Sequence, residues 1–307
     1  MNILSWLLIA LGALAAAYVL RWLTTLSRSR SLPPEAADRL SAPGLTHLLI
    51  GFVTNFFDTL GIGSFATTTT AYKLFHLVPD ERIPGTLLSG HTLPVVVQAF
   101  AFIGAVAVDP TRLVPLILAM TVGGWLGART VSRLPRRPIQ IGMASALILA
   151  AVFMSMGMLQ LFPSGGMATT LPAGKFVFAL VAYFALGALA TLGIGTYGPS
   201  LILFSLLGMN PRAAFPIMMG AGAFAGIVAS MRFVASGRYV AHAALGLTLG
   251  GIPAVVIAAW IVKSLPLDVI RWGVIVVVVY AAATLIRSAS ADRRVVAEAQ
   301  GAVIASA

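Results

Sequence analysis

The chain contains no cysteine, which excludes disulfides, thiolate metal sites and thiol nucleophiles, although it identifies no compartment. Charge is nearly as scarce: Asp, Glu, Lys and Arg together make up 9% of 307 residues, and only nine residues are acidic. Strand-like alternation of apolar and polar residues is absent, so every apolar segment is expected to be a helix. The HExxH, P-loop and G-x-S-x-G patterns are missing too, and four scattered histidines do not form a metal-spaced cluster. No catalytic residue, metal or cofactor is therefore expected, and an enzyme is disfavoured.

What fills the chain is hydrocarbon. Apolar residues account for 59% of it, and the mean hydropathy is +0.97, beyond the balance of a soluble domain. The fold class expected is an all-α polytopic membrane protein embedded in a lipid bilayer. The net charge of +11 does not indicate nucleic acid, because the basic residues sit in short clusters between apolar runs, where loops facing an anionic leaflet would place them.

The first apolar run, Ile3 to Leu20, is followed rather than preceded by arginines. That polarity is the reverse of a cleaved signal peptide and reads as a retained transmembrane helix, residues 1–26, with its N-terminus outside. A polar, proline-containing cytoplasmic linker covers 27–44. Apolar segments then run from about 45 to 287, and two of them, 63–78 and 196–209, are too short to cross a core of about 30 Å. Each is paired with the segment before it as a helical hairpin. With this topology only Arg112, Lys175, Arg212, Lys263 and Arg271 fall outside, and the other fifteen of the twenty basic residues face the cytoplasm, in keeping with the positive-inside rule. The tail, 288–307, is then cytoplasmic.

Shifting the chain by 132 residues superposes LGIG at 60–63 on LGIG at 192–195, together with Pro79 on Pro211, Pro84 on Pro216 and Gly90 on Gly222. Two repeats follow, 45–161 and 175–287, each a hairpin plus three crossing helices. Three crossings reverse the direction of the second copy, so the repeat is inverted, an architecture recurrent in secondary transporters.

GFVTNFFDTLGIGS in the first half, YFALGALATLGIGT in the second, and the spacing of each to the next loop proline resemble the sulfite exporter TauE/SafE family of membrane anion permeases. The resemblance extends over nearly everything from about 45 to 287. It implies export or uptake of sulfur oxyanions such as sulfite, or of organosulfonates such as sulfoacetate, across the cytoplasmic membrane. The family's usual run after GIG is glycine-rich, whereas Ser64 and Thr196 stand here.

The chemistry of the two breaks is consistent with an anion site. Gly61 and Gly63, like Gly193 and Gly195, let the chain leave one helix, and Ser64 and Thr196 are suited to cap the next. A helix start offers free N–H groups and a positive dipole end, which bind an anion without a lysine. Ser64, Thr67, Thr68, Thr196, Tyr197 and Ser200 add hydroxyls in the first turns, although such residues often bond only their own helix. Asp58 is the one acidic residue inside a predicted membrane segment. A proton relay with His91, or a bond to the broken backbone, would each account for it. Gln98 shares a helix face with His91 and is placed to line a cavity. The pairs Gly123/Gly127, Gly222/Gly226 and Gly246/Gly250 read as close helix contacts and leave a homodimer open. Met218 and Met219 read as packing residues. A secondary transporter is the leading expectation, with a passive anion channel and, more remotely, a membrane-embedded enzyme or sensor as rivals.

Overall fold

A computed structural model describes residues 3–29, 43–59, 63–103, 109–161, 165–193 and 195–261, with isolated positions between 279 and 290. Gly61, most of the linker, the greater part of the helix expected at 267–287 and most of the tail lie outside the described residues. Ten α-helices are delimited among the described residues: α1 (Ile3–Ser29), α2 (Leu45–Thr59), α3 (Ser64–Leu74), α4 (Ile83–Ile103), α5 (Pro110–Val131), α6 (Arg136–Met158), α7 (Ala173–Ala190), α8 (Tyr197–Leu206), α9 (Pro211–Ser236) and α10 (Ala241–Ile261). There is no strand among the described residues, only a lone bridge between Ala168 and Met209.

Local sequence explains the boundaries. Proline opens α5 and α9, where its missing N–H costs nothing and its fixed φ suits the first turn. Asp109 caps α5 by accepting from Thr111 N–H at 2.9 Å. α3, of 11 residues, and α8, of 10, rise roughly 15 to 17 Å and cannot cross a bilayer core alone. Six helices, α1, α5, α6, α7, α9 and α10, contain segments long and apolar enough to span one. α1 runs to Ser29, about two turns beyond the apolar run that predicted it.

The helices pack so that partners exchange between the halves. α2 lies along α10 as α7 lies along α5; α4 packs on α10 as α9 packs on α5; and α4 and α9 face each other at the centre. Small residues permit this closeness. A Cβ at Gly123 would overlap the Phe184 carbonyl, and one at Gly127 would meet Ala188, both on α7. In the other half, Gly246 and Gly250 abut His47 and Leu48 on α2. These glycine faces are thus occupied within one chain, and a homodimer would have to use another surface. α1 lies against α4 and α9 through buried Leu11, Tyr18 and Trp22.

One charged cluster ties the ends of α3 and α6 together. Asp80, in the turn between α3 and α4, accepts from Lys73 Nζ at 2.8 Å, from Gln140 Nε2 at 2.8 Å and from Arg136 Nη2 at 3.4 Å. Burial works to raise its pKa, but the Lys73 and Gln140 hydrogen bonds and the Lys73 and Arg136 charges outweigh burial and hold the carboxyl below its usual value. A carboxyl depressed by folding stabilises at neutral pH, and that contribution is lost as pH falls through the folded value. Asp80→Asn should therefore cost about 1–3 kcal/mol near neutrality and much less in acid. Thermal melts at two pH values check this, and an equal loss at both would contradict it.

Candidate functional site

The first break is held by Asp58. α2 is an apolar helix whose polar side chains turn inward or back onto it: Thr54, Asn55 and Thr59 each donate to the carbonyl four residues earlier, at 2.7 to 2.9 Å. Asp58, one residue from the C-terminal end, instead reaches across the break. Its Oδ1 accepts from the Ser64 N–H at 2.8 Å, and its Oδ2 accepts from Gln98 Nε2 of α4 at 3.0 Å. A helix start has N–H groups without backbone partners, so the carboxylate satisfies one of them.

Ser64 is thus not the cap that its sequence position suggested. Gly63 occupies the N-cap position of α3 with φ 88°, a conformation that favours glycine. Ser64 is the first helical residue, and its side chain is 1% exposed with no hydrogen-bond partner for Oγ. Thr67 turns onto Gly63 O and Ser64 O. Thr68 bonds across to His91.

His91 sits in a chain of fixed polarity. Asn55 Nδ2 donates to Gly51 O at 2.7 Å, which turns Oδ1 of the same amide toward His91 Nδ1 at 3.0 Å. An amide oxygen only accepts, so Nδ1 carries the proton of the neutral ring and Nε2 accepts from the Thr68 hydroxyl at 2.9 Å. No hydrogen bond joins His91 to Asp58, so proton passage between them would need a carrier within the cavity.

The second break approaches the same space. Gly193 has φ 93°, and a Cβ there would lie 3.8 Å from Thr69 Oγ1 of α3. Thr196 occupies the N-cap position of α8 in a helical conformation, and its side chain makes no cap bond. Both breaks adjoin a partly open cavity of about 110 Å³, and roughly 10–15 Å³ admits one water. Asp58, Gly63, Ser64, His91 and Gln98 line it from one half, and Gly195, Thr196 and Tyr197 from the other. Thr67, Thr68, Gly193 and Ser200 are not on its wall, and Ser200 is buried. Met218 and Met219, expected only to pack, face the cavity, as do Thr92 and Thr191. No Lys or Arg is among the described residues that line it, and no three His, Cys, Asp or Glu side chains gather as metal ligands among the described residues.

Sequence reading passed over Asn55, although a signal was there. It is the only asparagine in the interior of an apolar run, three residues before Asp58, hence on nearly the same helix face. Thr92 gave no comparable sign, since its neighbour Ser230 on α9, at 2.8 Å, is 138 residues away.

A multi-pass helical bundle enclosing a donor-lined cavity between two helix starts belongs to the class of membrane proteins that pass small polar solutes. The chain is a member of the sulfite exporter TauE/SafE family, whose family model matches residues 1–154, from α1 nearly to the end of α6. Membership makes it a membrane transporter of the anion and sulfite type. Searches of curated proteins and of solved structures gave no match.

Nitrogen-15 NMR of labelled protein tests the polarity deduced for His91: its neutral ring should report Nδ1–H, and Asn55→Leu should shift it toward the other tautomer. An Nε2–H ring in the unsubstituted protein would contradict the assignment.

Proposed function

We propose that this chain is a secondary transporter that carries small sulfur-containing anions, sulfite, sulfoacetate or a related organosulfonate, across the cytoplasmic membrane by alternating access. The observation that carries the reading is positional. The 132-residue offset that aligns the two LGIG segments also pairs Asp58 with Ala190, Gly63 with Gly195, Ser64 with Thr196 and Phe65 with Tyr197, and all eight residues line one cavity. Two helix starts related by an inverted repeat and opening on one central site match the arrangement of carriers that rock about a fixed substrate.

The wall chemistry suits an oxyanion. A sulfonate spreads its charge over three oxygens and needs several modest donors rather than one cation. The unpartnered Ser64 hydroxyl, the Thr196 hydroxyl and the remaining N–H groups of two helix starts provide them. Ordered donors in a cavity walled largely by apolar groups also act more strongly than they would in bulk water.

Asp58 makes the transport proton-coupled. An ionised carboxylate on the wall repels an anion, so the substrate binds when Asp58 carries a proton, and each favours the other. The second half has only Ala190 at that place, so one proton site serves one anion site. His91, whose Nε2 accepts from the Thr68 hydroxyl, is a second titratable group on the wall. The N-terminus lies outside and the C-terminus in the cytoplasm, as the distribution of arginines supports.

Purified protein in sealed vesicles tests this. Labelled sulfoacetate should enter faster when unlabelled anion is trapped inside. An unsaturable current without that acceleration would make the protein a channel, and no flux of any sulfur anion would remove both readings. Ser64→Val and Thr196→Val should each weaken binding about tenfold, the loss of one hydrogen bond to a charged group being roughly 1.5–3 kcal/mol. Methanesulfonate, whose charge is constant near neutrality, should bind more tightly as pH falls. Asp58→Asn should abolish that dependence while retaining binding, and a surviving pH dependence would remove Asp58 from the coupling.

A further inference from the structure

α4 contains a proline, Pro94, in its interior. Proline has no N–H to give to the carbonyl four residues back, and its ring crowds that carbonyl. The abandoned acceptor is Gly90 O, which lies one residue before His91 and two before Thr92 on the cavity wall. A buried carbonyl without a donor is costly, so another group must supply one.

The donor comes from α10. Thr248 Oγ1 bonds Gly90 O at 2.7 Å. Sequence detail on both helices makes that reach feasible: a Cβ on Gly90 would lie 2.6 Å from Leu247 Cβ, and one on Gly251 would lie 2.7 Å from Pro94 Cγ and 2.5 Å from Asn55 Nδ2. The missing side chains let α4 and α10 close until the threonine meets the freed carbonyl. The adjacent carbonyl, Ser89 O, accepts from the Tyr18 hydroxyl of α1 at 2.8 Å, and Tyr18 is wholly buried. Leu88 O, one residue earlier, accepts from Thr92 Oγ1 at 2.7 Å. Three successive carbonyls ahead of Pro94 are thus held by hydroxyls, two of them from other helices.

We propose that Thr248 and Tyr18 are positioning residues for transport. Neither lines the cavity. Bonded to the two carbonyls that precede His91, they fix the path of α4 past Pro94 and so the approach of His91, Thr92 and Gln98 to the first helix break. This gives α1, which stands outside the repeated halves, a part in the site's geometry. The proposal rests on the transporter reading for its effect on flux, but its structural half stands apart from that reading.

The absence of cysteine allows spin labels to be placed at two chosen positions. Glu81→Cys, in the turn just before α4, and Phe100→Cys, near the C-terminal end of α4, are exposed enough to label, at 30% and 44%. Thr248→Val should shift or broaden the label distance, and Thr248→Ser, which keeps the hydroxyl, should restore it. Pro94→Ala returns an N–H to Gly90 O and should bring the distance toward that of the straight helix. In the Pro94→Ala background Thr248→Val should then add nothing, the non-additivity expected of groups acting on one acceptor. Tyr18→Phe should alter the distance in the parent chain as well. In vesicles, Thr248→Val should slow anion uptake about tenfold, with a smaller effect when Pro94 is replaced. An unchanged distance in folded Thr248→Val, or equal shifts in both backgrounds, would overturn the proposal. Absence of flux in the parent protein, with the distance effects intact, would instead overturn the transporter reading alone.

Discussion

The bond from the Ser64 N–H to the Asp58 carboxylate, 2.8 Å long, is the contact on which the first half of the site depends. It crosses a break in the chain and joins the end of α2 to the start of α3. It also answers two needs at once, because α3 begins with unpaired donors and a carboxylate within a membrane bundle requires partners. Gln98 completes the arrangement from α4. Three helices are thereby brought to the cavity by one side chain, and Ser64 becomes part of its wall.

Around that contact the bundle is built from near-symmetric packing with unequal polar content. Glycine-bearing faces of α5 and α10 seat α7 and α2, so the two breaks meet across the centre. The polar inventory is nevertheless uneven. Asp58, His91 and Gln98 all come from the first half, and the second contributes mainly Gly195, Thr196 and Tyr197. A site with similar backbone on both sides and a titratable group on one can bind a solute from two directions while keeping a single proton site.

Much of this was legible in the sequence because it depends on backbone rules. Prolines and glycines located the breaks, the length of apolar runs distinguished crossing helices from short ones, and the scarcity of acidic residues isolated Asp58. Those signals are local or periodic. The cap at Ser64 was misread because helix starts are usually capped from the preceding residue, whereas Gly63 has no side chain and the acceptor comes from six residues upstream. Among the described glycines of the two breaks, Gly63 and Gly193 are left-handed, whereas the sequence offset pairs Gly63 with Gly195. The Asn55–His91–Thr68 chain and the Thr92–Ser230 pair were hidden for another reason. They depend on how helices rotate against each other, which periodicity along one helix does not specify.

The central claim is that a sulfur oxyanion sits between the starts of α3 and α8. Selenite can stand in for sulfite in crystals of the protein, and because its methionines carry sulfur, selenium would mark the anion alone in anomalous diffraction. The account predicts one selenium peak inside the cavity, within hydrogen-bond distance of the Ser64 and Thr196 hydroxyls. A peak confined to the arginine-rich loops, with the cavity holding no selenium at saturating selenite, would contradict it.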